Sequence, residues 1–353
     1  MYSIPWKTKG IVLTAPQPYK QEVRTVAEFI ERILAPSGVN LIVLQTRYRY
    51  QFRRHPECMG YDPLSAEDVR LLLETCRRNG IRLVPKMNLL GHQSGVHNKP
   101  SDGILHGLSS GSTDFPDAVL RSYPMFAEPT GDAEFVYSKH LCLTHPLLPS
   151  LLFDLMDELL DVFEADAMHI GCDEAFFIGN CHRCCTKPNS VLFADYINLL
   201  TDHLAAKGAE TMLWSDRLLD SEESGYHNAY EASCNDTHPA IDMVSKKLIC
   251  CDWHYEKYDA YKSVDIFADH GLRMMVSPWK QKDNARAFLD YAAAHDRGHI
   301  EGYLQTTWCS SGELARHYLY NAPLEWHNMP PLVETLNELF LDPAVLAKNG
   351  YKL

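Results

Sequence analysis

The stretch DAMHIGCDEA, Asp166 to Ala175, decides how this chain is read. Its first half is apolar and strand-like, and it runs straight into two neighbouring carboxylates, Asp173 and Glu174. An amphipathic helix closing at Val162 and Phe163 precedes it, and a turn-prone cluster from Gly179 to Ser190 follows. Adjacent acids at the end of a buried strand are costly unless they are paired, hydrogen-bonded or employed. In a barrel of parallel strands the catalytic groups stand at the C-terminal strand ends. The pair is therefore a candidate site if the rest of the chain builds such a barrel.

Working outward, seven further β-rich segments recur, most of them followed by a helical pattern: 10–15 (GIVLTA), 40–46 (NLIVLQT), 81–86 (IRLVPK), 210–216 (ETMLWSD), 248–253 (LICCDW), 273–279 (RMMVSPW) and 302–308 (GYLQTTW). Most are largely apolar, as strands covered on both faces should be. Val23, Val26, Ala27, Ile30 and Leu34 mark the first helix. Ser65 and Asp68 have capping-box spacing for the second, which stops at Asn79-Gly80. Eight such units predict an α/β protein of the (β/α)8 TIM-barrel class. The rival, an open doubly wound sheet, lacks its signature, since no GxGxxG or GxxxxGK[ST] follows any strand. With no repeat or linker, 1–353 reads as a single barrel domain. It carries a long insertion, 93–146, after the third strand and a helical segment, 324–353, placed on the barrel's outside. Insertions of that length are usually lids or binding loops.

A net charge of -13 with no basic stripe argues against nucleic acid as partner and leaves a neutral or small ligand. The N-terminal MYSIPWKTKG has no apolar signal core, and no run long enough to span a membrane occurs, so a cytoplasmic protein is expected. Eleven cysteines, several inside apolar strands, fit reduced thiols.

On the barrel reading, one face collects His92, Asp173, Glu174, Trp214, Asp216, Trp253, Tyr255, Trp279, Trp308 and Glu313. Any single tryptophan there could be core filling. Four of the protein's six at strand ends point instead to flat walls for sugar rings, whose hydroxyls the carboxylates accept.

HIGCDEA, preceded by LCLTHPLLPSLLFDLMDELLDVF, resembles the signature of the family-20 glycoside hydrolases, the β-N-acetylhexosaminidases: H-[IFV]-G-G-D-E after a leucine-rich helix that begins near Leu-Cys-x-x-x-Pro. VPKMNLLGH is similar to the family's P-E-x-x-x-P-G-H, and WSD and LQTTW with Gly312-Glu313 match further motifs, so the resemblance covers about residues 10 to 320. There are departures. Cys172 stands where the family has its second glycine, and Leu90 where it has a proline. The family's first-strand arginine, its Tyr-x-Asp after the seventh strand and the small α/β domain before the barrel have no counterpart.

Most glycosidases flank the scissile bond with two carboxyl groups. Successive strand residues point to opposite sides, so Asp173 and Glu174 are poorly placed for that. The resemblance implies substrate assistance instead, in which the sugar's 2-acetamido oxygen attacks the anomeric carbon. Glu174 would then be the general acid and base, and Asp173 would steer the acetamido N-H. Trp214, Trp253 and Trp308 would wall the pocket, with Tyr255 donating to the acetamido oxygen. His92 and Asp216 would contact hydroxyls or stand behind the groups that do, and Glu313 would bind a hydroxyl. No cofactor is expected for catalysis. A structural zinc at Cys181 and Cys184 is a lesser expectation than unpaired thiols, because NCHRCC offers one C-x2-C and a closed site needs four ligands; His182, Cys185 or the distant Cys142 could complete it. His169 reads as an interior histidine. Other readings are a metal-dependent sugar isomerase, a barrel that binds carbohydrate without turnover, and an exo-glycosidase for a sugar lacking the acetamido group.

Overall fold

The computed structural model describes residues 2–94, 117–131 and 138–351. Eight parallel strands close into a barrel in chain order: β1 (Thr8–Thr14), β2 (Leu41–Gln45), β3 (Arg82–Lys86), β4 (Ala167–His169), β5 (Glu210–Trp214), β6 (Ile249–Asp252), β7 (Arg273–Val276) and β8 (Ile300–Gln305). β1 pairs with both β2 and β8, which excludes the open sheet. Each expected segment is a strand. The largest difference is at β4, which leaves the ladder after His169 instead of extending to the acids.

Two apolar layers follow from the strand's period of two. Inward-facing Val12, Leu41, Val43, Val84, Met212, Ile249, Cys251, Met275 and Leu304 fill the barrel's centre. Outward-facing residues such as Ile11, Leu13, Ile42, Leu44 and Leu83 join the helices in the larger core. The first helix, α1 (Glu22–Phe29), continues as a π-helical turn through Leu34 and buries the predicted Val23, Val26, Ala27, Ile30 and Leu34. α2 (Ala66–Arg78) starts at the predicted capping box: the Ser65 side chain accepts from the Asp68 amide, and Asp68 accepts from the Ser65 amide. The leucine-rich α3 (Leu148–Phe163) delivers the chain into β4.

Of the insertion after β3, 95–116 and 132–137 lie outside the described residues, so the expectation of a lid falls largely on residues not described. The rest is tied to the barrel mouth. Buried Arg47 donates to Asp117 at 2.7 Å and to the carbonyl of His92 at 2.9 Å. Ala127 and Leu141 form an antiparallel bridge that makes a short ribbon. The C-terminal segment forms helices at Met329–Thr335 and Pro343–Lys348, and its first residues reach the mouth, as described below.

Closure of the barrel depends on a close approach between its first and last strands. A Cβ added at Gly302 would stand 2.3 Å from the Thr8 carbonyl oxygen, a backbone atom that cannot swing away. Gly302→Ala is therefore expected to destabilise the fold by about 1–3 kcal/mol or more, the range of overpacked cores. Urea unfolding followed by circular dichroism checks this; an unchanged midpoint would contradict the tight seam.

Candidate active site

The same period of two that fills the barrel builds the floor of a cavity of about 800 Å³ at its C-terminal mouth. Two residues beyond inward Val43 and Val84 come Gln45 and Lys86; two beyond Met212 and Cys251 come Trp214 and Trp253. All four line the cavity. Lys86 is buried, donates to Asn88 Oδ1, and has its ammonium 5.7 Å from the ring centres of both Trp214 and Trp308. Burial pushes it down to about 8 despite the pull of Asp173.

After β4 the backbone turns left-handed. Gly171, Cys172 and Glu174 all have positive φ, 71°, 72° and 49°. At Gly171 any Cβ would meet Asn88 Oδ1 at 2.6 Å. Cys172 adopts this conformation with a side chain, at an expense of roughly 1–2 kcal/mol. The turn cancels strand alternation, so Asp173 and Glu174 do not face opposite ways. Their carboxylates meet one nitrogen, His92 Nε2, at 3.0 and 3.2 Å. Burial alone would lower the His92 imidazole, but the carboxylates, Asp173 foremost, outweigh it and carry it up to about 10. Burial likewise opposes ionisation of Asp173, yet His92 and then Lys86 hold its carboxyl well below the ordinary range. Asp173 Oδ1 is buried without a hydrogen-bond partner, as are Gln45 Oε1 and Trp214 Nε1, all on residues of the cavity lining.

The walls are aromatic. Trp214, Trp253, Trp279, Trp308 and Trp326, five of the six tryptophans, line the cavity with Tyr255. Trp308 Nε1 donates to the Tyr255 hydroxyl at 2.6 Å, and Trp279 Nε1 to the Thr307 carbonyl. Burial raises the Tyr255 phenol, keeping it neutral. Behind Tyr255, its amide donates to Glu231, which is fastened by His254 Nδ1 at 2.8 Å. Burial of His254 is outweighed by Asp252 and Glu231, which carry it up to about 9.

Most predicted site residues therefore come together: Asp173, Glu174, His92, Trp214, Trp253, Tyr255, Trp279 and Trp308. Two predicted contacts do not reach the wall. Asp216 is buried behind it, where its carboxylate accepts from the Glu174 amide at 2.9 Å, Arg217 at 2.6 Å and Trp253 Nε1 at 3.2 Å. Burial pushes Asp216 up to about 6 against the pull of Arg217. Glu313 turns to the loop after the last barrel helix and accepts from the amides of Glu325 and Trp326. It thus seats Trp326, which the sequence reading placed outside. Sequence reasoning missed Gln45, Lys86, Glu231, Trp326 and Asn328. The first two end strands and could have been found by the rule that found the tryptophans; the others come from loops with no local signal.

The cysteines also come together in part. Cys142, Cys181 and Cys184, with Glu128, have their donor atoms within 4.8 Å of one another, whereas His182 and Cys185 are exposed.

A closed eight-stranded barrel with paired acids and indole walls at its C-terminal mouth is the architecture of a sugar-cleaving enzyme. Residues 42–321 match the family model described as Glycosyl hydrolase family 20, catalytic domain, and the chain belongs to that family. No curated protein matches it in sequence. Its fold is similar to a β-N-acetylhexosaminidase from Bacteroides fragilis, with 14% identity over 99% of this chain and 72% of that one and a TM-score of 0.61. It is also similar to a Flavobacterium johnsoniae chitobiase, with 17% identity over 98% and 50% and a TM-score of 0.63. A third is an exo-β-N-acetylglucosaminidase from Vibrio harveyi in complex with N-acetylglucosamine, with 12% identity over 99% and 60% and a TM-score of 0.63. At these identities the likeness is one of fold.

Lys86 supplies a pH test. As pH rises through about 8 the floor loses a cation that also helps hold Asp173 ionised. The kcat/KM profile is expected to fall above that pH, and Lys86→Met should abolish this alkaline limb while lowering the plateau. An identical limb in the variant would remove Lys86 from the site's electrostatics.

Proposed function

We propose that the chain removes a β-linked N-acetylhexosamine from a carbohydrate by substrate-assisted, retaining catalysis. One observation carries this reading. Asp173 is held ionised with Oδ2 on His92, while Oδ1, buried on a cavity-lining residue, has no partner and suits an amide N–H. A sugar bearing a 2-acetamido group brings that N–H with it.

In the first step the acetamido oxygen bonds to the anomeric carbon as the glycosidic C–O bond breaks, and Glu174 gives its proton to the leaving oxygen. Asp173 stabilises the positive charge that spreads onto the acetamido nitrogen. In the second step Glu174 takes a proton from water, whose oxygen bonds to the anomeric carbon as the bond to the acetamido oxygen breaks, which restores the acetamido group and the original anomeric configuration. The two acids share one imidazole nitrogen and so stand on one wall, which suits adjacent roles on one sugar better than flanking a bond. Tyr255 is the candidate donor to the acetamido oxygen, and the indoles exclude water and stack on the ring. Each step is written with these side chains, the sugar and water alone, with the His92 imidazolium paired to the Asp173 carboxylate.

The substrate is thus a carbohydrate rather than a nucleic acid. No helix among the described residues is long and apolar enough to cross a membrane. None of the eleven cysteines is joined in a disulfide, which supports a reducing compartment such as the cytoplasm.

Glu174→Gln should lower kcat on an aryl N-acetylhexosaminide by at least about a hundredfold, the scale of lost general-acid catalysis. The loss should shrink for a dinitrophenyl leaving group, which departs without a proton. Asp173→Asn should lower kcat for both substrates. Near-wild-type kcat in Glu174→Gln with the poorer leaving group would overturn the assignment.

A further inference from the structure

The cluster of three cysteines and a glutamate lies outside the sugar cavity, and the glycosidase reading does not use it. Glu128, Cys142, Cys181 and Cys184 are all buried. Cys142 Sγ stands 3.4 Å from Cys181 Sγ and 3.7 Å from Cys184 Sγ, and Cys184 Sγ stands 3.6 Å from Glu128 Oε2. These separations are too long for a disulfide, whose sulfurs lie about 2 Å apart. They match the edges of a tetrahedron around zinc. With Zn–S near 2.3 Å and Zn–O near 2.0 Å, paired sulfurs fall about 3.8 Å apart and a sulfur and an oxygen about 3.5 Å.

The surroundings are those of ligands held in place. Glu128 Oε1 accepts the amides of Asn180 at 2.7 Å and Cys181 at 2.8 Å, which leaves Oε2 toward the sulfurs. Among the described residues no Lys, Arg or His pairs with this buried carboxylate, a costly arrangement unless a metal neutralises it. The amides of Cys184 and Cys185 fold back on the Cys181 carbonyl, making the turn of a C-x2-C unit, and Thr144 Oγ1 lies 3.1 Å from Cys184 Sγ as a donor to a thiolate. Three sulfurs with one oxygen at tetrahedral spacing, and no open position for substrate, select zinc in a structural role over harder divalent cations.

We propose that Glu128, Cys142, Cys181 and Cys184 bind one zinc ion. Glu128 and Cys142 sit on the ribbon formed by the insertion, whereas Cys181 and Cys184 sit on the loop that leaves Glu174. The ribbon also carries His140, whose Nε2 accepts from the Phe176 amide at 3.1 Å, two residues beyond Glu174. The ion fastens the insertion to the loop behind the catalytic acid and holds the left-handed turn in place. It joins a distant stretch of chain to the C-x2-C unit, and binding free energy of this kind is folding free energy.

The test uses the whole chain, expressed with zinc supplied, gel-filtered and examined by elemental analysis. About one equivalent of zinc per chain is expected, released by a chelator only with a fall in melting temperature. Protein reconstituted with cobalt should show the intense near-ultraviolet thiolate-to-metal band and the visible bands of a tetrahedral site. Cys184→Ser should lose the metal, and Cys185→Ser, which changes an exposed neighbour, should keep it. Wild-type protein that is folded and holds less than about a tenth of an equivalent, or holds iron in place of zinc, overturns the proposal. So does a Cys184→Ser variant with full zinc content, and neither result bears on the roles of Asp173 and Glu174.

Discussion

The site is organised by one imidazolium held between the Asp173 carboxylate and the carboxyl group of Glu174. Asp173 and Glu174 are neighbours in sequence, and in water-poor surroundings two such charges side by side would repel strongly enough to keep one protonated. His92 Nε2 reaches both, so Asp173 stays ionised. This contact needs two unusual pieces of backbone. His92 has φ of 56°, and the chain after β4 runs left-handed through Gly171 and Cys172 and again at Glu174. It also needs Gly91, where a Cβ would stand 2.6 Å from the Asp173 carbonyl oxygen. The strain is local and the return is chemical, since the turn brings both acids to one wall of the cavity.

Support for this arrangement comes from hydrogen bonds made behind and along the cavity wall. Asp216 holds the Glu174 amide and the Trp253 indole at once, and Arg217 ties Asp216 to the carbonyls of Ala229, Tyr230 and Ala232. Glu231, on that loop, holds the Tyr255 amide, and Tyr255 receives the Trp308 indole N–H. The indole walls and the acids are thus coupled through hydrogen bonds that run around the barrel mouth, anchored on the buried side chains of Asp216, Arg217 and Glu231.

Much of this was legible in the sequence because barrel strands carry strong local signals. All eight were visible as β-rich segments, and the capping box at Ser65 and Asp68 announced its helix. The acids and four indoles stood out by the strand-end rule. What was hidden depended on backbone conformation or distance along the chain. Cys172 bears a side chain, so nothing in its identity announced a positive φ, and the alternation rule misjudged where Asp173 and Glu174 face. Asp216 was expected at the site, yet whether it faces the cavity or backs it depends on where the neighbouring Arg217 packs. Glu313 and Trp326 belong to one contact between a helix start and a later loop, and no period connects them. Glu128 joins the cysteines only because the ribbon folds over the β4 loop.

The proposed reaction requires that the sugar's own amide oxygen perform the displacement while Asp173 steers it. A series of aryl glycosides whose N-acetyl methyl carries zero, one, two or three fluorines tests this most directly, because each fluorine makes that oxygen a poorer nucleophile without altering the leaving group. A steady fall in kcat is expected across the series, about a hundredfold or more in all, with negligible turnover when the acetamido group is replaced by hydroxyl. Rates that stay level through the series, or equal turnover of the hydroxyl sugar, would contradict it.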